Sequence, residues 1–149
     1  SFEAAVDPDL TAALESGDTR VTYYPVVILD SYGDYSARAA NAMAVVLDTA
    51  GVDVALEFNR ALFAQQPAES GPKPDDEFLI DLAVQSGAEE SEIRDGIEDN
   101  VFSDWVKQGT DSAEQRGMQG TPTIFIDGEM LETGEAVAAI AELASPQAR

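Results

Sequence analysis

The chain contains neither cysteine nor histidine, and these two absences exclude more chemistry than anything else in its composition. Without cysteine there is no disulfide, zinc–thiolate site or thiolate nucleophile. Without histidine there is no imidazole base and no serine–histidine–aspartate triad, and neither residue is there to ligate haem. Lysine is scarce, present only as Lys73 and Lys107. The longest apolar run, Ala42 to Leu47, falls far short of the roughly 20 residues a membrane helix requires. No basic stretch leads into an apolar one as in a signal peptide, and no glycine-rich phosphate loop occurs. Carboxylates, hydroxyls, amides and backbone remain to act, and no cofactor is expected.

Acid is what the sequence has in excess. Against 8 basic residues stand 29 acidic ones, a formal charge of −21 over 149 residues. Such a field repels phosphate backbones and anionic headgroups, so neither nucleic acid nor membrane insertion is expected of this chain. The acids are spread along the sequence, as at Asp7, Asp9, Asp18, Asp48, Asp81, Glu98 and Glu142, which describes a solvated surface more than a site. They would suit a protein working in high salt, where mutual repulsion is screened within a few ångströms. With 44% apolar and 25% charged residues, the expectation is one soluble domain over residues 1–149.

Periodicity gives the elements. Phe2, Val6, Leu10 and Leu14 recur every fourth position and predict a first helix stopped at Gly17. Arg20 to Tyr24 has strand composition, with Pro25 favouring an edge position, and Asp30 to Gly33 is turn chemistry. A helical block follows over about 34–117. Its first helix starts near Asp34 or Ser36 and ends at Gly51, and its second ends near Ala64. The connector Gln66 to Pro74 is too rich in proline and glycine for regular structure. Pro74 is expected as the first helical residue of the next segment, with Asp75, Asp76 and Glu77 in its first turn where the helix dipole favours acid. Helices over about Glu89–Glu98 and Val101–Arg116 complete the block, with Phe102, Trp105 and Val106 expected on one core-facing side. Thr123 to Ile126 then reads as a strand, Asp127-Gly128 as a two-residue hairpin turn, and Glu135 to Ala144 as a closing amphipathic helix.

The segment that carries most information is Gly120-Thr121-Pro122-Thr123, directly before the apolar strand. A proline there suits a cis peptide bond, which costs an X-Pro linkage about 0.5–1 kcal/mol and folds the chain back sharply. An ordinary trans turn is the alternative. In the sharp form the residue before the proline can offer its backbone to an extended peptide.

With this loop and strand in place, the chain resembles the DsbA-like branch of the thioredoxin superfamily. The resemblance also rests on Ser1-Phe2-Glu3 at the start of the first helix, Val21 to Pro25, Ser36 to Ala42, and Leu62 to Glu69. It implies an α/β thioredoxin-like fold with a helical insertion between the second and third sheet strands. Gly120, Thr121, Pro122 and Thr123 would form the substrate-binding cis-proline loop, and Ser1 and Phe2 would lie at the helix N-terminus beside the active site. Family members exchange disulfides through a Cys-x-x-Cys pair at that helix start, where the dipole lowers a thiol's pKa. This chain has no such pair and lacks the strand before it, which in that arrangement is the central one of the sheet.

Two functions are expected from the resemblance. The chain is the C-terminal part of a DsbA-like thiol:disulfide oxidoreductase, redox-inactive as given. Alternatively it is a redox-inactive thioredoxin-like module that binds peptide or protein, with a serine-based transferase as a minor variant at Ser1. A purely structural acidic scaffold is the third reading. The resemblance implies an extracytoplasmic location, with any membrane tether carried by a segment outside this chain, and an extended peptide or protein as partner.

The charge makes a prediction independent of fold. Raising salt from about 10 mM to about 2 M shortens the screening length from roughly 30 Å to a few ångströms. The thermal midpoint followed by circular dichroism should therefore climb by several degrees, whereas a flat profile would mean that the acids do not oppose the compact state.

Overall fold

The computed structural model describes residues 2–28, 33–68 and 71–145. Its elements, in chain order, are α1 (Phe2–Glu15), α2 (Tyr35–Ala50), α3 (Val52–Ala64), α4 (Asp76–Gln85), α5 (Glu90–Glu98), α6 (Ser103–Gln115), β1 (Ile124–Ile126), β2 (Glu129–Leu131) and α7 (Thr133–Ala144). Contacts divide the chain into two compact units, one of Ser1–Tyr23 with Met118–Arg149 and one of Tyr24–Gly117.

The all-helical unit is built around α2. From Ala40 to Val46 every residue of that helix is buried, and a helix apolar on all sides must be surrounded. Its alanines admit neighbouring helices closely, and Phe58, Leu79, Ile80, Ile93 and Ile97 fill the space with their side chains fully enclosed. Gly96 marks the tightest approach: a Cβ there would meet both γ-methyls of Val45 at 3.1 Å.

Two polar clamps fix this packing. Asn41 is wholly buried, donating from Nδ2 to the carbonyls of Gly96 (3.2 Å) and Ile97 (3.4 Å) while its Oδ1 accepts from the Phe102 amide (2.8 Å). The two carbonyls also accept from the Val101 and Asn100 amides, whereas the Phe102 amide, at the start of α6 where a helix has no partner of its own, is bonded by Asn41. Arg38 is the second clamp. It pairs with Asp34 and with Asp76 (2.8 Å), donates to the Pro74 carbonyl (2.7 Å), and lies over the Tyr35 ring. Burial disfavours its charge, but the bonds to Asp76 and Asp34 outweigh this and hold its pKa above the ordinary value. Burial likewise pushes the Tyr35 hydroxyl up. Thr110 ties the segment before α2 to α6, accepting from the Val27 amide and donating to Val106.

In the other unit α1 lies along α7. Val6 and Ala13 of α1 and Ala136 and Ile140 of α7 are buried, and α7 also touches β1. β1 and β2 pair antiparallel, Ile124 with Leu131 and Ile126 with Glu129. Asp127 and Gly128 take φ of +49° and +88°, the left-handed pair that a tight two-residue hairpin requires. Glu132 and Glu135 form a reciprocal capping box at the start of α7.

Several expectations change. Residues 20–24 form no strand, and the described sheet has only β1 and β2. Strand composition records fitness for a pleated, half-buried surface, and without a neighbouring ladder it is not realised. Pro74 is not the first helical residue. Asp75 is the N-cap, accepting from the Phe78 amide, so the proline lies one position outside. Trp105 is half exposed while Val106 is buried, because successive residues diverge by 100° around a helix and α6 turns Val106 inward. Leu14 is 38% exposed, the buried residues of α1, among those described, being Val6 and Ala13. The turn at Asp30 to Gly33 is described only at Gly33, whose φ is +108°; its other residues, and Glu69 and Ser70 of the connector, lie outside the described residues.

Two outcomes test these packings. Asn41→Ala leaves the Phe102 amide without its acceptor and removes the donations to Gly96 and Ile97, and should cost about 1–3 kcal/mol in urea unfolding. An effect below 1 kcal/mol would contradict the clamp. Arg94 bonds Glu77, Glu90 and Glu98, and its bond holds the Glu77 carboxyl below the ordinary 4.5. A depressed carboxylate pKa gives stability that is present above the unfolded value and lost as pH falls through the folded one. Arg94→Gln should therefore reduce the loss of stability on acidification below pH 4.5, seen as a shallower fall of the midpoint.

Candidate functional site: the proline loop before β1

The loop begins where Met118, buried, anchors the chain ahead of the hairpin. Gly120 is half buried, Thr121 and Pro122 are exposed, and Thr123 turns partly inward to begin the approach to β1. Thr123 Oγ1 donates to the Gly120 carbonyl at 2.6 Å, closing the four residues on themselves. The Thr121–Pro122 peptide bond is cis. Among the described residues the Thr121 main chain makes no hydrogen bond, and the residue is exposed. The loop is thus an open surface feature held at one end by a buried methionine and at the other by an apolar strand.

Sequence reasoning singled out six positions. Gly120, Thr121, Pro122 and Thr123 form one continuous turn. Phe2 is the first residue of α1, half buried, in the same compact unit as the loop, and Ser1 lies outside the described residues. The Thr123–Gly120 hydroxyl bond went unrecognised, although a threonine three positions after glycine in a turn is its sequence signal.

The loop's own groups are backbone amides and carbonyls and two threonine hydroxyls. Thiol and imidazole are absent from the whole chain. No group of three or more acidic side chains is arranged to hold a metal among the described residues, and no described helix is long and apolar enough to cross a membrane. A shallow recess between α3 and α4, bordered by Glu57, Arg60, Gln65 and Gln85, lies in the all-helical unit and contributes nothing to the loop.

A family model, the DSBA-like thioredoxin domain, matches residues 5–143. The chain belongs to that family. Two solved structures from Mycobacterium tuberculosis are similar to it over 97% of its length. One is oxidised DsbA, at 30% identity and TM-score 0.78 with 76% of that chain covered. The other is the reduced form of the disulfide bond oxidoreductase DsbG, at 31% identity and TM-score 0.81 with 71% covered. No curated protein matches. Membership accounts for the mostly helical architecture with its small sheet: this is a DsbA-like thioredoxin fold, from a family of thiol:disulfide oxidoreductases, in a chain with no cysteine.

The DsbA-like loop gives a local prediction. Thr123→Val removes one hydroxyl bond and should cost about 1 kcal/mol. Amide exchange over residues 120–123 should quicken while α2 to α5 stay unchanged, and uniform quickening across the chain would contradict a local role.

Proposed function

We propose that this chain is the substrate-binding and helical part of a DsbA-like thiol:disulfide oxidoreductase, with the redox cysteine pair and one further sheet strand supplied by a segment not among these residues. Tyr24–Gly117 is read as the helical insertion, and Thr121 and Pro122 as the groove that receives an extended peptide. The observation that carries the proposal is the incomplete cover of an apolar strand. Ile124, Phe125 and Ile126 are each only half buried, in a sheet of two three-residue strands. An isolated hairpin of that size is marginal in water, and although α7 packs on it the three apolar residues of β1 are left partly uncovered. A strand beside β1 would cover the remaining apolar surface and bring whatever follows it to the start of α1. A thiol there would gain from the helix dipole. An extracytoplasmic location follows from the same reading, since disulfide chemistry persists in oxidising compartments.

The exposure of Thr121 and Pro122 in a chain without thiols also favours a second reading, a redox-inactive module that binds extended peptides. One experiment separates them. The chain joined to the sequence encoded immediately upstream of Ser1 is assayed for catalysed oxidation of a reduced, unfolded protein. The first reading expects a cysteine pair in the extension and turnover lost on its replacement by serine; an extension without cysteines ends it. The second expects an unstructured peptide to bind the 149-residue chain and to bind less tightly after Pro122→Ala, and equal affinity removes the loop from that account.

A further inference from the structure

The chain holds three sulfur atoms, all of them in methionines, and the fold treats them unequally. Met43, in the enclosed stretch of α2, and Met118, ahead of the proline loop, are each 9% exposed, whereas Met130 on β2 is 55% exposed. With no cysteine in the chain, no thiolate competes with them for an oxidant. A thioether reacts without first losing a proton, so access to its lone pairs decides which methionine a peroxide reaches first.

The place of Met130 in the hairpin gives its oxidation a consequence. Along an antiparallel ladder hydrogen-bonded and non-hydrogen-bonded pairs alternate, and the pair flanking a two-residue turn, here Ile126 with Glu129, is a bonded one. Met130 and Phe125 are the next pair and therefore a non-bonded one, in which side chains approach most closely across the strands. Both project from the same face of the sheet, while Ile124, Leu131, Ile126 and Glu129 project from the other. Of the three opposed pairs, Phe125 with Met130 is thus the one that joins the strands on its face. A flexible thioether beside an aromatic ring is a favourable neighbour; a sulfoxide is polar and chiral and draws water to the same position.

We propose that Met130 is an oxidation site of this chain: a hydroperoxide converts its thioether to the sulfoxide, and the modified side chain loosens the hairpin that follows the proline loop. With hydrogen peroxide, a sulfur lone pair attacks one peroxide oxygen, and the S–O bond forms as the O–O bond breaks. The proton on the transferred oxygen passes to the departing hydroxide, which leaves as water. Sulfur is oxidised by two electrons and the peroxide is reduced by two. The proposal is independent of the redox pair proposed upstream and of peptide binding at Thr121 and Pro122.

The test treats the full 149-residue chain with hydrogen peroxide and maps the products by mass spectrometry of its peptides. Met130 should gain one oxygen about tenfold or more faster than Met43 or Met118. In the singly oxidised chain, amides of β1 and β2 should exchange about threefold or more faster than in the untreated one, while α2 to α5 stay unchanged. The two methionine sulfoxide reductases, one for each epimer, should together restore the original rates. Met130→Leu keeps an apolar side chain opposite Phe125, so its hairpin should exchange at the parent's rates and stay at them after peroxide. Oxidation of the three methionines at similar rates would overturn the site. Unchanged exchange once Met130 is oxidised, or equal loosening of the peroxide-treated Leu variant, would overturn its effect on the hairpin.

Discussion

A hairpin with three residues to a side does not hold itself together in water, and the unit containing β1 and β2 has to borrow its stability from α1 and α7. It has little to borrow. Among the described residues its buried apolar ones are Val6, Ala13, Met118, Ala136 and Ile140, two of them alanines. At about 25 cal/mol per Å² of apolar surface removed from water, small side chains contribute little against the entropy of ordering a loop and a hairpin. The all-helical unit is in the opposite position. Its core joins Phe58, Leu79, Ile80, Ile93 and Ile97 around the enclosed stretch Ala40–Val46 of α2, with polar clamps at Asn41 and Arg38, and among the described residues no buried side-chain nitrogen or oxygen lacks a partner. The two units of one chain therefore differ in how completely they are stabilised, and the candidate site belongs to the weaker one.

That asymmetry bears on function. A peptide-binding loop must keep backbone groups available, and the elements that do this are drawn from the less protected parts of a fold. Thr121 and Pro122 are exposed, the strand after them is half covered, and the Thr123 hydroxyl closes the turn. The same unit receives the family's redox pair in the proposed reading, so one additional strand would both complete the hydrophobic cover and deliver the chemistry. The acidic surface acts independently of this. A field of this sign repels phosphate backbones and other anions.

Much of this was legible in the sequence, and the failures have physical causes. Helices with strong periodicity or a clear stop, such as Tyr35–Ala50 ending at Gly51 and the Ile93, Ile97 pair of α5, were visible because each depends on its own residues. The hairpin turn at Asp127-Gly128 was visible because few dipeptides accept two positive φ values. The segment at residues 20–24 misled because a strand depends on its neighbour, and β composition without a ladder yields no strand. Trp105 misled because apolar identity was read as burial when one residue's rotation separates it from Val106. The clamps at Asn41 and Arg38 could not be foreseen. Their partners lie 55 and 38 residues away, and nothing local distinguishes a buried asparagine from a surface one. At the site, the loop itself was evident, while the hydroxyl that closes it was missed.

The central claim is that the hairpin unit of this chain is under-stabilised relative to the helical one. Native-state amide exchange measures it directly, residue by residue, in the 149-residue chain. Amides of β1, β2 and α7 should exchange about tenfold or more faster than those of the enclosed part of α2, opening by local events well below the global unfolding free energy. Equal protection in both units, with a single cooperative opening for the whole chain, would contradict it.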